Sequence, residues 1–303
     1  EILIGLVGSE MCIRDSSYAS CLGIMKAITK NKELFMAIKF IALDTDGTLL
    51  DSNGKILPST KEAVKKALDQ GIKVALCSGR PIAGLKHFMD ELGIVGPDQY
   101  AITLNGAITI TADGQVMTED LVSNKFYRKM YDFGKKHHIP FNVVSPDSKI
   151  ITGDHDVDLM IYTQAYENSA TLYIRQPDEL PADFEIAKGC FVGKEQLIDQ
   201  WEEKISQEFE KDLYVVRADS CFLELLHPGV SKGNGLKELT EKLGIKPDEV
   251  MAIGDERNDL TMFEFAGTAV CMGNGSPVAK EHADYVTASN DEDGISTAFE
   301  KFL

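Results

Sequence analysis

Two carboxylates stand two residues apart in Asp44-Thr45-Asp46-Gly47-Thr48, directly after the apolar run Ile38-Lys39-Phe40-Ile41-Ala42-Leu43. At a strand end both project towards the same side of the loop. Like charges that close are costly unless a cation neutralises them or one takes a proton. Mg²⁺ suits carboxylate and carbonyl oxygens and keeps room for a substrate phosphate. Taken alone, an Asp-x-Asp before glycine is more simply a solvated Asx turn.

Three further loops carry comparable chemistry. Cys77-Ser78-Gly79-Arg80 follows a second apolar run, and a serine hydroxyl beside glycine at the start of a helix suits a phosphate, because free backbone N–H groups point outward there. A plain N-cap would look the same. Ser231-Lys232-Gly233 offers a point charge for a phosphoryl oxygen or a carboxylate, although a lone lysine is ordinarily a surface residue. Gly254-Asp255-Glu256-Arg257-Asn258-Asp259 sets three acids and an amide after the run Val250 to Ile253, which reads either as a metal-binding loop or as a charged loop capping a helix.

These loops need elements to position them, and the chain supplies strand, loop and helix in alternation from Met36. The first apolar run reads as a buried strand. Ser59-Thr60-Lys61-Glu62 has capping-box spacing after Pro58, with Ala63, Val64, Ala67 and Leu68 on one face before Gly71. Ile72 to Leu76 is a second strand, and Pro81 opens a helix that ends near Gly93. Alternation with apolar strands predicts a parallel sheet covered on both faces. The pattern returns after residue 227, with a helix from Lys232, a strand Val250 to Ile253, a helix Leu260 to Phe265 and a strand Thr268 to Cys271.

Between them the chain changes character. Asp113-Gly114 marks a hairpin, a helix follows over Asn124 to His138, and strands are expected at Phe141–Val144, Asp158–Tyr162 and Glu185–Val192. A helix over Lys194 to Phe209 and strands at Leu213–Arg217 and Phe222–Leu226 complete an antiparallel sheet with helices on one face. The expected fold class is therefore α/β, a Rossmann-like doubly wound parallel core over residues 36–112 and 228–303, with an inserted α+β cap domain over 113–227. Residues 1–35 read as an extension outside the domain. Val7 to Ser16 resembles translated adapter sequence, and Met36 is a plausible start.

Composition narrows the partners. The chain has 303 residues, 44% hydrophobic and 26% charged, with a net charge of −17. The charges of residues 1–35 cancel, so the acidity belongs to the folded part. Such a surface disfavours nucleic acid and anionic membranes, whose recognition rests on Lys and Arg. No apolar run approaches the roughly 18 residues of a spanning helix. Six scattered cysteines suggest neither zinc nor a disulfide framework, and a cytoplasmic protein with reduced thiols is expected. His137-His138 read as a helix end, Trp201 and the aromatics Phe126, Tyr127, Tyr131 and Phe133 as packing, and His227 as structural.

Asp-x-Asp-Gly-Thr, Ser-Gly-Arg, a lone lysine and Gly-Asp-x-x-Asn-Asp occur in that order, each at a strand end or helix start. Together they resemble the four signature motifs of haloacid dehalogenase-type phosphatases. The likeness covers Met36 to Leu303 and includes Asn105-Gly106-Ala107, Pro228 to Gly233 and Met272-Gly273-Asn274. The insert resembles the C2-type cap of the Cof-type, sugar-phosphatase-like branch. The resemblance implies a Mg²⁺-dependent phosphatase of small phosphorylated metabolites, sugar phosphates foremost, working through an aspartyl-phosphate. Asp44 would be the nucleophile and Asp46 the acid and then the base. The metal would lie among the Asp44 carboxylate, the Asp46 carbonyl and Asp255, with Asp259 in support. Thr45, Gly47, Ser78, Gly79, Arg80, Asn105, Lys232 and Asn258 would contact phosphate or substrate. Thr45 stands where relatives often carry a larger apolar residue, and Arg257 adds a cation beside the metal loop.

Other classes remain in view. A receiver-type phospho-acceptor module is about half this length and needs no second acid after the nucleophile. A phosphomutase shares the motifs and differs only in product. A ligand-binding relative without activity would not need the full acidic set, and an ion pump would need membrane spans.

Overall fold

The computed structural model describes residues 37–303; the expected extension over 1–35, Met36, Cys12 and Cys21 lie outside the described residues. Two sheets organise the chain. The first has eight strands in the order β14-β13-β12-β1-β2-β3-β4-β5. At its centre β1 (Phe40–Asp44) pairs in parallel with β2 (Lys73–Cys77) on one side and β12 (Val250–Gly254) on the other. The chain runs from β1 outward through β2 and β3 (Tyr100–Thr103), and returns much later to β12, β13 (Thr268–Cys271) and β14 (Tyr285–Val286). The reversal of winding therefore falls beside β1, where open α/β sheets leave a crevice at the carboxyl ends of their strands.

Alternation along β1 shows why both faces are covered. Ile41 and Leu43 join one buried cluster with helices α1 (Pro58–Asp69), α2 (Ile82–Leu92) and, further along the chain, Ile295, Ala298 and Phe299. Phe40 and Ala42 join another with Leu236, Leu239, Met262 and Phe263. A strand buried on both faces has no polar alternation, which is why it reads as a continuous apolar run. The predicted capping box at Ser59–Glu62 does not form. Pro58 takes the first helical position and Leu57 the cap, so Ser59 already lies inside the first turn and its hydroxyl bonds to Asp293 instead. Pro81 likewise sits one residue before α2, and Gly93 closes that helix in a left-handed conformation.

The hairpin at Asp113-Gly114 joins β4 (Ile108–Thr111) to β5 (Val116–Glu119), both antiparallel extensions of the first sheet. The expected boundary at residue 113 therefore falls inside this hairpin, and the strand beyond it stays with the first sheet. The second sheet follows, six strands in the order β10-β11-β9-β6-β7-β8. They are β6 (Phe141–Val144), β7 (Ile150–Thr152), β8 (Leu172–Ile174), β9 (Lys188–Val192), β10 (Tyr214–Asp219) and β11 (Phe222–Leu226).

One expected strand is a helix: Asp158–Tyr162 falls at the start of α4 (Leu159–Glu167). Asp158 caps it, its Oδ1 accepting from Met160 N at 2.8 Å, and the helix is the crossover that lets β7 and β8 pair in parallel. Helices consequently cover both faces rather than one. Tyr127 and Met130 of α3 (Asn124–His137) and Ile198, Ile205 and Phe209 of α5 (Glu195–Phe209) pack on one face. Ile161 and Ala165 of α4 pack on the other, beside Leu104 and Ala107 of the loop after β3 and Ile108 at the start of β4. Among the described residues no helix is long and apolar enough to cross a membrane.

Close backbone contact ties the loop after β3 to α6 (Lys232–Leu243). Leu104, Asn105 and Gly106 all have positive φ, at 54°, 58° and 100°. A Cβ on Gly106 would meet Ser231 O at 2.1 Å. Gly106→Ala is expected to cost roughly 2–5 kcal/mol, from a left-handed alanine and an overlap the packed loop must relieve. Urea denaturation measures it, and a loss under about 0.5 kcal/mol would mean the loop and α6 do not meet as described.

Candidate active site

Every acidic group singled out in the sequence arrives at the carboxyl edge of the first sheet. Asp44 ends β1, and the tight turn Thr45–Leu49 after it is closed by Leu50 N donating to Thr45 O at 3.0 Å. Gly47 has φ 81°, and a Cβ there would lie 2.4 Å from Asp255 Oδ2, so only glycine lets the two loops touch. Thr48 Oγ1 donates to Asp255 Oδ1 at 3.1 Å, and Asn274 Nδ2 to Gly47 O at 2.8 Å. The Met272-Gly273-Asn274 segment therefore braces the turn from the far side.

Lys232, at the head of α6 behind its Ser231 cap, is buried to 1% exposure. Its Nζ donates to Asp44 Oδ1 at 2.6 Å and to Asp259 Oδ1 at 2.7 Å. The other Asp259 oxygen, Oδ2, accepts from the backbone N–H groups of Asp255 and Glu256 at 2.9 and 3.0 Å. Both oxygens of Asp259 are thus committed to shaping the loop, which sets it behind Asp44 and Asp255 as a brace. Asp44 keeps Oδ2, and Asp255 is held by the single Thr48 bond.

Carboxylate oxygens of Asp44, Asp255 and Asp259 lie within 4.8 Å of one another, and all three residues are buried. Among the described residues, Lys232 is the one ammonium that pairs with this group. Burial, then the Asp259 charge, push the Asp44 pKa well above the ordinary range, against the pull of Lys232. The same two causes raise Asp255 from 3.8 to about 6. Burial works against the Lys232 charge, but Asp44 and Asp259 outweigh it and hold the ammonium more firmly protonated than usual. Three acids against one base leave two negative charges uncompensated, and the free oxygens are hard donors. That donor set fits a divalent cation of the Mg²⁺ kind.

The phosphate-binding candidates surround this centre. Ser78 is buried at the end of β2, its hydroxyl accepting from Arg80 N at 3.2 Å. Asn105 is locked by its own N–H to Ser78 O at 2.9 Å, beside Gly79. Asn258 is exposed at the rim. Thr45 is fully buried. Arg80 does not stand free for a phosphate: its Nε and Nη2 grip both oxygens of Asp46 at 3.0 and 2.9 Å, while Nη1 donates to Glu167 O of α4 at 2.9 Å.

Asp44, Asp46, Ser78, Gly79, Arg80, Asn105, Lys232, Asp255 and Asn258 line a cavity of about 800 Å³ between the two sheets, whereas Thr45, Gly47 and Asp259 do not reach it. Its ceiling comes from residues that sequence reasoning missed: Gln164, Lys188, Tyr214, Val216 and Glu224. Lys188 and Glu224 form an ion pair, each side chain 6% exposed. The available signal was a lone charge within each of two apolar strands, Lys188-Gly189-Cys190-Phe191-Val192 and Phe222-Leu223-Glu224-Leu225-Leu226. Cys77, Cys190 and Cys271 are buried and free, with burial pushing the Cys190 thiol up to about 12.

A doubly wound sheet with clustered acids, a buried lysine and a serine loop at its switch point defines a phosphoryl-group enzyme. The comparisons agree. A family model for haloacid dehalogenase-like hydrolases matches residues 41–299. YxeH of Bacillus subtilis (strain 168) is 34% identical over 88% of this chain and 98% of its own. A haloacid dehalogenase-like hydrolase from Bacteroides thetaiotaomicron superposes with a TM-score of 0.81 at 30% identity, covering 88% of this chain and all of that one (100%). The subclass IIB sugar phosphatase BT4131 does so at 0.70 and 27%, over 87% and 98% of the two chains. The chain belongs to the haloacid dehalogenase-like hydrolase family, in its Cof-type branch, and is a phosphatase of small phosphorylated substrates.

Two outcomes follow from the charge balance. Asp255 binds its proton more tightly folded than unfolded, so without cation its contribution is complete below about pH 4 and lost as pH rises through about 6. A cation needs the bare carboxylate. The Mg²⁺-induced rise in Tm should therefore be small near pH 5 and larger near pH 7.5, and an equal rise at both would contradict this cluster as the binding site. Lys232→Met strands Asp44 and Asp259 and is expected to cost roughly 3–5 kcal/mol in EDTA by chemical denaturation, partly restored by Mg²⁺.

Proposed function

We propose that the chain is a Mg²⁺-dependent phosphatase of sugar phosphates and related small metabolites, with Asp44 as the group that takes the phosphoryl. The observation that carries this reading is the Asp44 carboxylate itself. Lys232 immobilises Oδ1, leaving Oδ2 as the one oxygen that can attack, on the cavity side of a fixed strand end. Its basicity is tempered by Lys232, and its geometry is set before substrate arrives, which is where rate is gained in phosphoryl transfer.

In the first half-reaction Oδ2 of Asp44 bonds to phosphorus as the bond to the leaving oxygen breaks. A proton from Asp46 goes to that oxygen. In the second half-reaction Asp46 takes a proton from water, the water oxygen bonds to phosphorus, and the Asp44 ester bond breaks to free inorganic phosphate. Arg80, bidentate on Asp46, fixes the direction of that carboxyl. Ser78 and Asn258 would hold phosphoryl oxygens, with Gly79, Asn105 and the Thr45 and Gly47 backbone shaping the cradle. Asp44, the Asp46 carbonyl and Asp255 would hold Mg²⁺, braced by Asp259; when bound it neutralises the two surplus charges and those developing on the phosphoryl group.

The second sheet would serve as the cap that closes over the leaving group, and residues 36–112 and 228–303, with the β4–β5 hairpin, as the catalytic core. A sugar phosphatase among the neighbours supports the substrate class, and free buried thiols fit a cytoplasmic setting. Phosphate release from a panel of sugar, cofactor and aryl phosphates, in Mg²⁺ or EDTA, tests the reading. Turnover should need Mg²⁺ and fall by at least about 10³-fold in Asp44→Asn. Asp44→Asn retaining full turnover sinks the nucleophile assignment, and an isomerised phosphosugar without free phosphate would make the chain a mutase.

A further inference from the structure

On the ceiling of the cavity, two charges lie on a sheet face that is otherwise uncharged. In register across the second sheet stand Asn142, Cys190, Glu224 and Val216, followed two residues along by Val144, Lys188, Leu226 and Tyr214. Lys188 bonds to Glu224 Oε1 and makes a long contact of 3.4 Å to Gly79 O, which brings it over the loop that carries Ser78. Apolar residues of the same volume often serve stability as well as or better than an ion pair buried this way, so packing alone does not account for it.

The second observation is that the pair is incomplete. Glu224 is 4% exposed, and its Oε2 is buried without a hydrogen-bond partner. Asn105 Oδ1, on the floor beside Gly79, is buried and unpartnered in the same way. A buried acceptor left alone costs about 1–3 kcal/mol, more when charged, and such groups are rare unless something completes them. Both residues line the same cavity as Asp44. What would complete them must bring O–H donors to Glu224 and Asn105 and an oxygen to exchange for the weak Lys188 to Gly79 contact. Lys188 stays charged there, because the Glu224 carboxylate outweighs the burial that works against the ammonium.

We propose that Glu224 and Lys188 form the subsite that reads the leaving group, Glu224 accepting from one hydroxyl and Lys188 donating to a neighbouring oxygen, so that the chain selects polyhydroxylated phosphates over aryl or alkyl ones. This rests on the phosphatase reading and adds to it the residues that set specificity. An aryl phosphate entering the same cavity leaves Glu224 unpaired, and a site built to bond a hydroxyl rejects the analogue lacking it far more strongly than an apolar pocket can.

The test compares kcat/KM for a hexose 6-phosphate, its deoxy analogues and phenyl phosphate in the full chain, Glu224→Gln and Lys188→Met. In the unaltered chain the hexose phosphate should exceed phenyl phosphate by about 100-fold or more, and one deoxy analogue should forfeit most of that advantage. In Glu224→Gln the ratio should collapse to within about 10-fold, carried by the hexose phosphate. Parallel loss on all substrates would make the pair merely structural and overturn the proposal, as would an unchanged ratio. If Glu224→Gln does not fold, the deoxy series on the unaltered chain decides alone: equal kcat/KM for every analogue overturns the subsite. Turnover of phenyl phosphate without a preference defeats the subsite and leaves the phosphatase reading standing; no release from any compound defeats both.

Discussion

Three buried carboxylates share one buried ammonium, and the rest of the molecule is arranged around that imbalance. Lys232 could not be buried without Asp44 and Asp259, and those acids could not lie this close to Asp255 without Lys232. The elements that carry them are separated by 188 residues of chain between Asp44 and Lys232. Only a sheet whose winding reverses beside β1 brings the two together, and only small residues let their loops meet. The glycine at 47 and the glycine at 106 are therefore electrostatic parts as much as backbone ones: each lets a charged loop approach closely enough for its charge to be balanced.

The floor of the site and its ceiling follow different physics. Floor residues hang from strands buried on both faces, whose positions are fixed by core packing. Ceiling residues project from one face of the second sheet, and their chemistry depends on what stands opposite. On the proposed function, that division would put bond-breaking on the first sheet and selection on the second.

The floor was legible in the sequence because each of its residues stands at the end of an apolar run or the start of a helix, positions where order along the chain predicts proximity. The ceiling was not, because its partners are set by strand register, which a single sequence does not specify. Lys188 and Glu224 are 36 residues apart and meet only through the antiparallel pairing of β9 and β11. The helix where a strand is expected at Asp158–Tyr162 has a local cause: Leu159-Met160-Ile161-Tyr162 suits either structure, and the Asp158 cap decides it. The failed capping box shows the converse, since Pro58 overrode a correct spacing by claiming the first turn. Arg80 was placed in the right loop, but its grip on Asp46 depends on side-chain direction, which spacing does not convey.

Arg80 also spans the division between the layers. One guanidinium holds the Asp46 carboxylate and the last turn of α4 at once. Hydrogen bonds of this kind weaken steeply with distance and angle, so displacement of the upper sheet by even about an ångström would be felt at Asp46. In the proposed mechanism this side chain would act as a mechanical interlock, making acid–base competence and enclosure of the substrate a single event rather than two that must coincide.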